Sequence, residues 1–167
     1  FTASGEIDSE FGNSGISVLD GGELAETLLI HENKLLIATS GNGARLHRLN
    51  TDGSVDTSFN PPLSQASSIA IAGSSIVIND TIITSYHNNG TINRLFASSE
   101  ALLLTLASDV QGRVLGVGWT PEPDIRIARY LPNGEFDATF ADNGNFTLDV
   151  GGSDLGRSLT IDANGRI

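Results

Sequence analysis

The residues best suited to chemistry are acidic and recur at one place in a pattern. Asp8, Asp56, Asn93 and Asp137 each stand three residues after a glycine and three before a phenylalanine. Around the second of them, Asn50, Asp52 and Asp56 offer oxygen atoms at intervals that suit a calcium loop. A hard cation wants six to eight oxygens. The matching positions elsewhere hold Ala3, Asn88 and the Pro132-Asn133 pair, which preserve no such cage. The same side chains can instead accept the N–H groups of their own turns. Turn chemistry is the expectation, and no metal site is assigned.

Nucleophilic catalysis finds less support. Gly12-Asn13-Ser14-Gly15 resembles a serine-protease nucleophile loop, but the same place in the last copy reads Asp142-Asn143-Gly144, without a hydroxyl. A triad also needs a base and its orienter within hydrogen-bond reach, and no residue is nominated for either role. His31, His47 and His87 lie 16 and 40 residues apart, without metal-ligand spacing. They read as surface or turn histidines. No catalytic residue is assigned and no cofactor is implied. Trp119, followed by Thr120-Pro121-Glu122-Pro123, is a candidate partner-binding anchor, with packing at a rim as the alternative. Asn79, Asn89 and Asn145 open Asn-x-Ser/Thr triplets, which accept glycans only in a eukaryotic secretory setting.

The elements that carry these residues are set by a repeat. Glycine, any residue, a large apolar residue, Asp or Asn, two residues and phenylalanine recur as Gly5 to Phe11, Gly53 to Phe59, Gly90 to Phe96 and Gly134 to Phe140. The chain has seven Phe, and four of them fall here. A large apolar residue precedes each glycine by four (Phe1, Leu49, Tyr86, Tyr130), and Ser4, Asp52, Asn89 or Asn133 stands immediately before it. Asn-Gly and Asp-Gly are strong hairpin signals, because a tight turn needs positive φ. Each copy is therefore a strand, a turn and a return strand ending on Phe. Between copies lies a second hairpin: 24–31 with 34–39, 67–72 with 75–78, 102–108 with 113–119, and a strand at 159–162 heading into Asn164-Gly165. Two hairpins make four short strands, and the glycine-to-glycine periods of 48, 37 and 44 residues suit four-stranded propeller blades. The expected fold is all-β, about four antiparallel blade repeats at roughly 1–49, 50–86, 87–130 and 131–167, the last incomplete. Phe11, Phe59, Phe96 and Phe140 are expected to act as wedges between neighbouring sheets; ligand stacking is the sharper alternative.

Bulk properties narrow the partners. A net charge of −11 argues against nucleic acid and anionic membrane. No apolar run reaches the roughly 18 residues of a membrane span, so no membrane insertion is expected. With no Cys there is no disulfide or thiolate metal site, which suits an extracellular bacterial protein and a cytosolic one equally. There is no Met, and the pattern starts at a strand end. A piece of a larger propeller is expected, completed by other segments of the same propeller or by another chain.

Phrases such as Leu49-Asn50-Thr51-Asp52-Gly53-Ser54-Val55-Asp56-Thr57-Ser58-Phe59 and Ala128-Arg129-Tyr130-Leu131-Pro132-Asn133-Gly134-Glu135-Phe136-Asp137 resemble the delta-60 repeat. Phe11 to Gly15, Val18 to Gly22, Phe140 to Gly144 and Leu148 to Gly152 fit it as well, so the resemblance spans nearly the whole chain. The second and third copies depart from it, with Asn60-Pro61-Pro62 and Ser98-Ser99-Glu100 in place of the Gly-rich turn. The resemblance implies a β-propeller-like bacterial protein, secreted or anchored at the cell surface, in some members through the type IX secretion route. It implies no established activity. Two functions follow as expectations. One is a non-enzymatic interaction or structural scaffold, adhesin-like or part of a surface assembly, meeting an unidentified protein or surface-glycan partner. The alternative is a propeller enzyme acting on glycans at its axial mouth.

Overall fold

A computed structural model describes residues 1–19, 23–62, 65–80, 82–97, 102–122 and 124–167. Asp20-Gly21-Gly22, Ser98-Ser99-Glu100 and Pro123, all named above, lie outside the described residues. Every element among the described residues is a strand, and every ladder is antiparallel. β1 (Leu24–His31), β2 (Lys34–Ser40) and β3 (Leu46–Leu49) form the first sheet. The second holds β4 (Ser68–Ala72), β5 (Ser75–Asn79), β6 (Ile83–Tyr86) and β7 (Ile92–Leu95). The third holds β8 (Leu102–Ser108), β9 (Val114–Trp119), β10 (Ile125–Tyr130) and β11 (Asn145–Leu148). Strands follow one another in space as in sequence: most connections within a sheet are two to five residues, too short for a crossover, and the longer one from β10 to β11 still returns to the neighbouring edge. At the β1–β2 turn, Glu32 and Asn33 both take positive φ (49° and 58°), the geometry whose twist matches the strands it joins.

The expected return strand ending on Phe forms in the second sheet alone, as β7; at 53–59 and 134–140 it shrinks to single bridges, Leu49 to Val55 and Tyr130 to Phe136, and residues 5–11 form no strand. The third sheet takes its fourth strand, β11, from beyond Phe140, whereas the first continues past Phe59 as Asn60-Pro61-Pro62, where prolines supply no N–H to a ladder. Residues 159–162 form no ladder either; their stretch runs beside the third sheet, where Gly156 N–H donates to Gly118 O (3.1 Å) and Thr105 Oγ1 donates to Arg157 O (2.9 Å). Residues 1–19 hold only an isolated bridge, Asn13 to Ile16.

The sheets stack face to face, with β4 packed against both β1 and β8. Strand alternation divides the apolar residues of the second sheet between two cores. Ile69, Ile76, Ile78 and Tyr86 pack with Leu36, Ala38 and Leu46 of the first sheet and with Phe59. Ala70 and Val77 turn the other way, onto Leu106, Val114, Ala128 and Tyr130 of the third, together with Phe96. Tyr130 is fully buried, meeting Phe96 edge-on at 5.6 Å and stacking on Phe136 at 4.8 Å.

Candidate functional site

The recurring acids sit in charged clusters that the sequence analysis did not assemble. Asp56 Oδ2 accepts from Arg48 Nε at 2.8 Å and from Lys34 Nζ at 2.5 Å. Its Oδ1 accepts the Ser58 N–H (3.0 Å) and hydroxyl (2.6 Å). The Arg48 guanidinium lies 4.4 Å above the Phe59 ring and donates onward to Asn88 O in the second sheet's turn, 2.6 Å away. The third sheet repeats the unit. Arg129 Nε donates to Asp137 Oδ2 at 2.8 Å, Arg129 covers Phe140 at 4.5 Å, Thr139 caps Asp137 Oδ1, and Arg113 approaches Asp137 at 3.9 Å. Hydrogen bonds from Lys34 and Ser58 hold the Asp56 carboxyl well below the usual carboxylate range, and those from Thr139 do the same for Asp137. Such groups stay ionised and bound; they are poor proton donors or acceptors near neutral pH.

Ladder register places Ser75, Ser85 and Asn93 of the second sheet where the first has Lys34, Arg48 and Asp56. There Asn93 Nδ2 donates to Ser75 Oγ at 3.1 Å. All three charges have been exchanged for neutral polar groups together.

A backbone contact also recurs. The residue after each of the first three motif phenylalanines donates its N–H to the glycine turn of the next copy: Gly12 to Asp52 O (2.6 Å), Asn60 to Asn89 O (3.5 Å) and Ala97 to Gly134 O (2.8 Å). This requires glycine on the receiving side. A Cβ on Gly53 would fall 2.7 Å from Gly12 N, and one on Gly90 2.8 Å from Pro61 N.

Two segments, 33–59 and 112–140, match the family model described as "Domain of unknown function (DUF5122) beta-propeller". They are the segments that hold the two complete Lys/Arg–Arg–Asp–Phe clusters. This is a propeller-repeat protein. The three sheets are its blades. No curated protein matches the chain.

The other candidate residues are dispersed over the blades. Phe59 and Phe96 are buried, while Phe11 and Phe140 are half-buried. Gly53, Gly90 and Gly134 are buried and Gly5 is exposed, all four with φ between +80° and +86°. Asp8, Asp56 and Asp137 cap their own turns, but Asn93 does not. Asn50 Oδ1 and Asp56 Oδ2 both accept from Lys34 Nζ, a cationic group of the protein itself, while Asp52 accepts the Ser54 N–H and hydroxyl. Trp119 ends β9, half-buried, in register with Leu102 and Ile125 of the neighbouring strands. Asn79 is buried, its amide donating to Leu103 O.

His47 corrects the surface reading of the histidines. Its Nε2 lies 2.7 Å from Glu23 Oε2, which also accepts from Thr39 Oγ1 at 2.5 Å. Burial raises the Glu23 carboxyl, and the Thr39 and His47 hydrogen bonds more than reverse this. Glu23 and His47 lie 24 residues apart, so spacing along one strand carried no signal. The charged clusters did carry one: Arg48 and Arg129 precede their Asp by eight residues in the two copies that keep the charge. Among the described residues, three acids also converge: Asp124, Asp149 and Asp154 bring carboxylate oxygens within 4.8 Å of one another. Lost hydration and the neighbouring charges of Asp149, Asp154 and Glu122 push the Asp124 carboxyl up.

Proposed function

We propose that this chain is a non-enzymatic scaffold, a secreted or cell-surface bacterial module whose blades hold an adhesive or assembly surface for a protein or surface glycan. One observation carries the reading. The charged residues shared by the first and third blades are spent on the fold: Asp56 and Asp137 are each shared between basic groups and turn donors, and Arg48 and Arg129 each lie over a motif phenylalanine. A glycan-cleaving site needs a pair of carboxylates kept at different proton affinities on either side of the bond. Among the described residues Asp124, Asp149 and Asp154 come together, yet Asp124 and Asp149 flank β10 and β11, Asp154 lies in the segment that follows, and none is on β8, the strand that packs on β4. The acidic balance and the repeat resemblance support an extracellular place.

The test is to incubate the full chain with bacterial cell-wall polysaccharides, measuring bound protein and released reducing ends. Saturable binding without release supports the scaffold. Release of reducing ends that disappears in Asp124→Asn overturns it in favour of a glycan-active propeller. Trp119→Ala asks whether that half-buried ring is the anchor: weaker binding at an unchanged melting temperature is the expected outcome.

A further inference from the structure

We propose that Asn42 is a site of spontaneous covalent modification: its side-chain amide is lost through attack by the Gly43 nitrogen, while the other asparagines that precede a glycine are protected by their turns. The site is independent of what the scaffold binds.

Asparagine before glycine is a chemically weak link, because glycine has no side chain to hinder the attacking nitrogen. This chain has five such pairs: Asn42-Gly43, Asn89-Gly90, Asn133-Gly134, Asn143-Gly144 and Asn164-Gly165. In the reaction the Gly N–H gives its proton to a solvent base and the nitrogen attacks the Asn Cγ. The new C–N bond closes a succinimide ring, and the side-chain nitrogen leaves as ammonia. Water then opens the ring at either carbonyl, leaving Asp or isoaspartate. A fold opposes the first step with a hydrogen bond that occupies the attacking N–H, or with one that fixes the side-chain amide.

Four of the pairs meet the first obstacle: Gly90 N–H bonds His87 O at 2.9 Å, Gly134 bonds Leu131 O at 2.8 Å, Gly144 bonds Phe140 O at 2.7 Å and Gly165 bonds Asp162 O at 2.9 Å. Asn89 and Asn133 meet the second as well. Asn89 Oδ1 accepts the Thr91 N–H (3.0 Å) and hydroxyl (2.7 Å). Asn133 Oδ1 accepts the Glu135 N–H (3.1 Å), and its Nδ2 donates to Glu135 Oε2 (2.7 Å). Gly90 and Gly134 are also buried.

Asn42-Gly43 meets neither obstacle. Among the described residues nothing accepts the Gly43 N–H or binds the Asn42 side chain, and both residues are exposed. Their loop joins β2 to β3, with positive φ at Gly41 (+99°) and Gly43 (+84°), and Ala44 N–H closes it on Gly41 O at 3.3 Å. It has room to move: a Cβ on Gly43 would meet only Glu23 Oε1, at 3.7 Å. The nitrogen can therefore turn onto Cγ without opening the sheet. The product sets a new carboxylate on the loop whose Gly43 carbonyl accepts from Arg45 Nε at 3.3 Å.

The experiment incubates the full chain in mildly alkaline buffer, digests samples over time and follows the five Asn-Gly peptides by mass spectrometry. Enzymatic methylation of isoaspartate gives a second readout. Asn42 is expected to convert first. Asn89 and Asn133, which must break bonds to both reacting groups, convert at least about tenfold more slowly, with Asn143 and Asn164 between. The same incubation in urea removes the turns, and the rates are expected to converge. Asn42→Gln is expected to abolish the early isoaspartate signal while the melting temperature stays that of the parent. An Asn42 that converts no faster than Asn89 and Asn133 in the folded chain, or that keeps its lead in urea, overturns the proposal.

Discussion

Asp56 is a buried carboxylate beside a buried guanidinium, and such pairs are changed safely only as a set. Removing one partner leaves the other charged and dry, at a cost of about 3–5 kcal/mol, whereas replacing the whole group can be close to neutral. The second blade contains the neutral version, Ser75, Ser85 and Asn93, in a fold like that of its neighbours. Arg48→Ser alone is therefore expected to lower the unfolding free energy by about 3–5 kcal/mol, and the combined Lys34→Ser, Arg48→Ser, Asp56→Asn variant by markedly less. Urea denaturation measures both, and equal losses would contradict the set argument. The same groups set the acid response. The folded Asp56 and Asp137 carboxyls lie below their unfolded value of about 3.9. Their contribution is thus full above about pH 4 and is lost as pH falls through the folded value. The contribution of these carboxyls to the melting temperature should be constant from neutrality down to about pH 4 and drop below that, with a shallower drop in the neutral-set variant.

Turns decide the elements, and glycine serves two purposes in them. Gly73, between β4 and β5, has φ of +62° and open space where a Cβ would go. Gly90 has φ of +86° and the backbone of residues 60–61 within 3 Å. Both alanine variants carry the backbone strain, of order 1–3 kcal/mol, but only Gly90→Ala also displaces the neighbouring blade. It is expected to lose at least about 1 kcal/mol more than Gly73→Ala under the same denaturant titration. Inside β9, Gly118 admits no side chain for another reason: a Cβ there would fall on Leu102 O of β8, beside the register shift between Leu103 and Thr105. The crowding comes from the partner strand of its own sheet.

Across the molecule, stability resides in two interlocked cores shared by successive blades. Phe59 and Phe96 each enter one of them, while Phe140 is half-buried under Arg129. Phe59→Ala and Phe96→Ala are expected to cost on the order of 3–5 kcal/mol through lost transfer energy and the cavity left behind. Phe140→Ala should cost visibly less, and thermal unfolding ranks the three. Removing divalent cations should leave the melting temperature unchanged, because Asp52 and Asp56 are satisfied by protein donors. A marked fall in chelator would show that a cation holds one of the acidic turns.

The hairpins were legible in the sequence because their instructions are local. β1 and β2 meet at Glu32-Asn33, and β8 leads into Gly112 and β9, where alternation and turn residues place them. The period told the fold class, since two hairpins per 37–48 residues leave few ways to bury an apolar face. Only the tertiary structure decided what the acids do. Lys34 and Arg48 come from the paired strands β2 and β3, and the turn after β3 brings Asp56 back to them, its N–H donating to Arg48 O; Glu23 finds His47 across the same sheet. It also decided that Gly53 and Gly90 are pressed by the preceding copy. Those contacts depend on the angle and distance at which one blade stacks on the next. No spacing within a single repeat encodes that geometry; it emerges when apolar faces from separate hairpins come together.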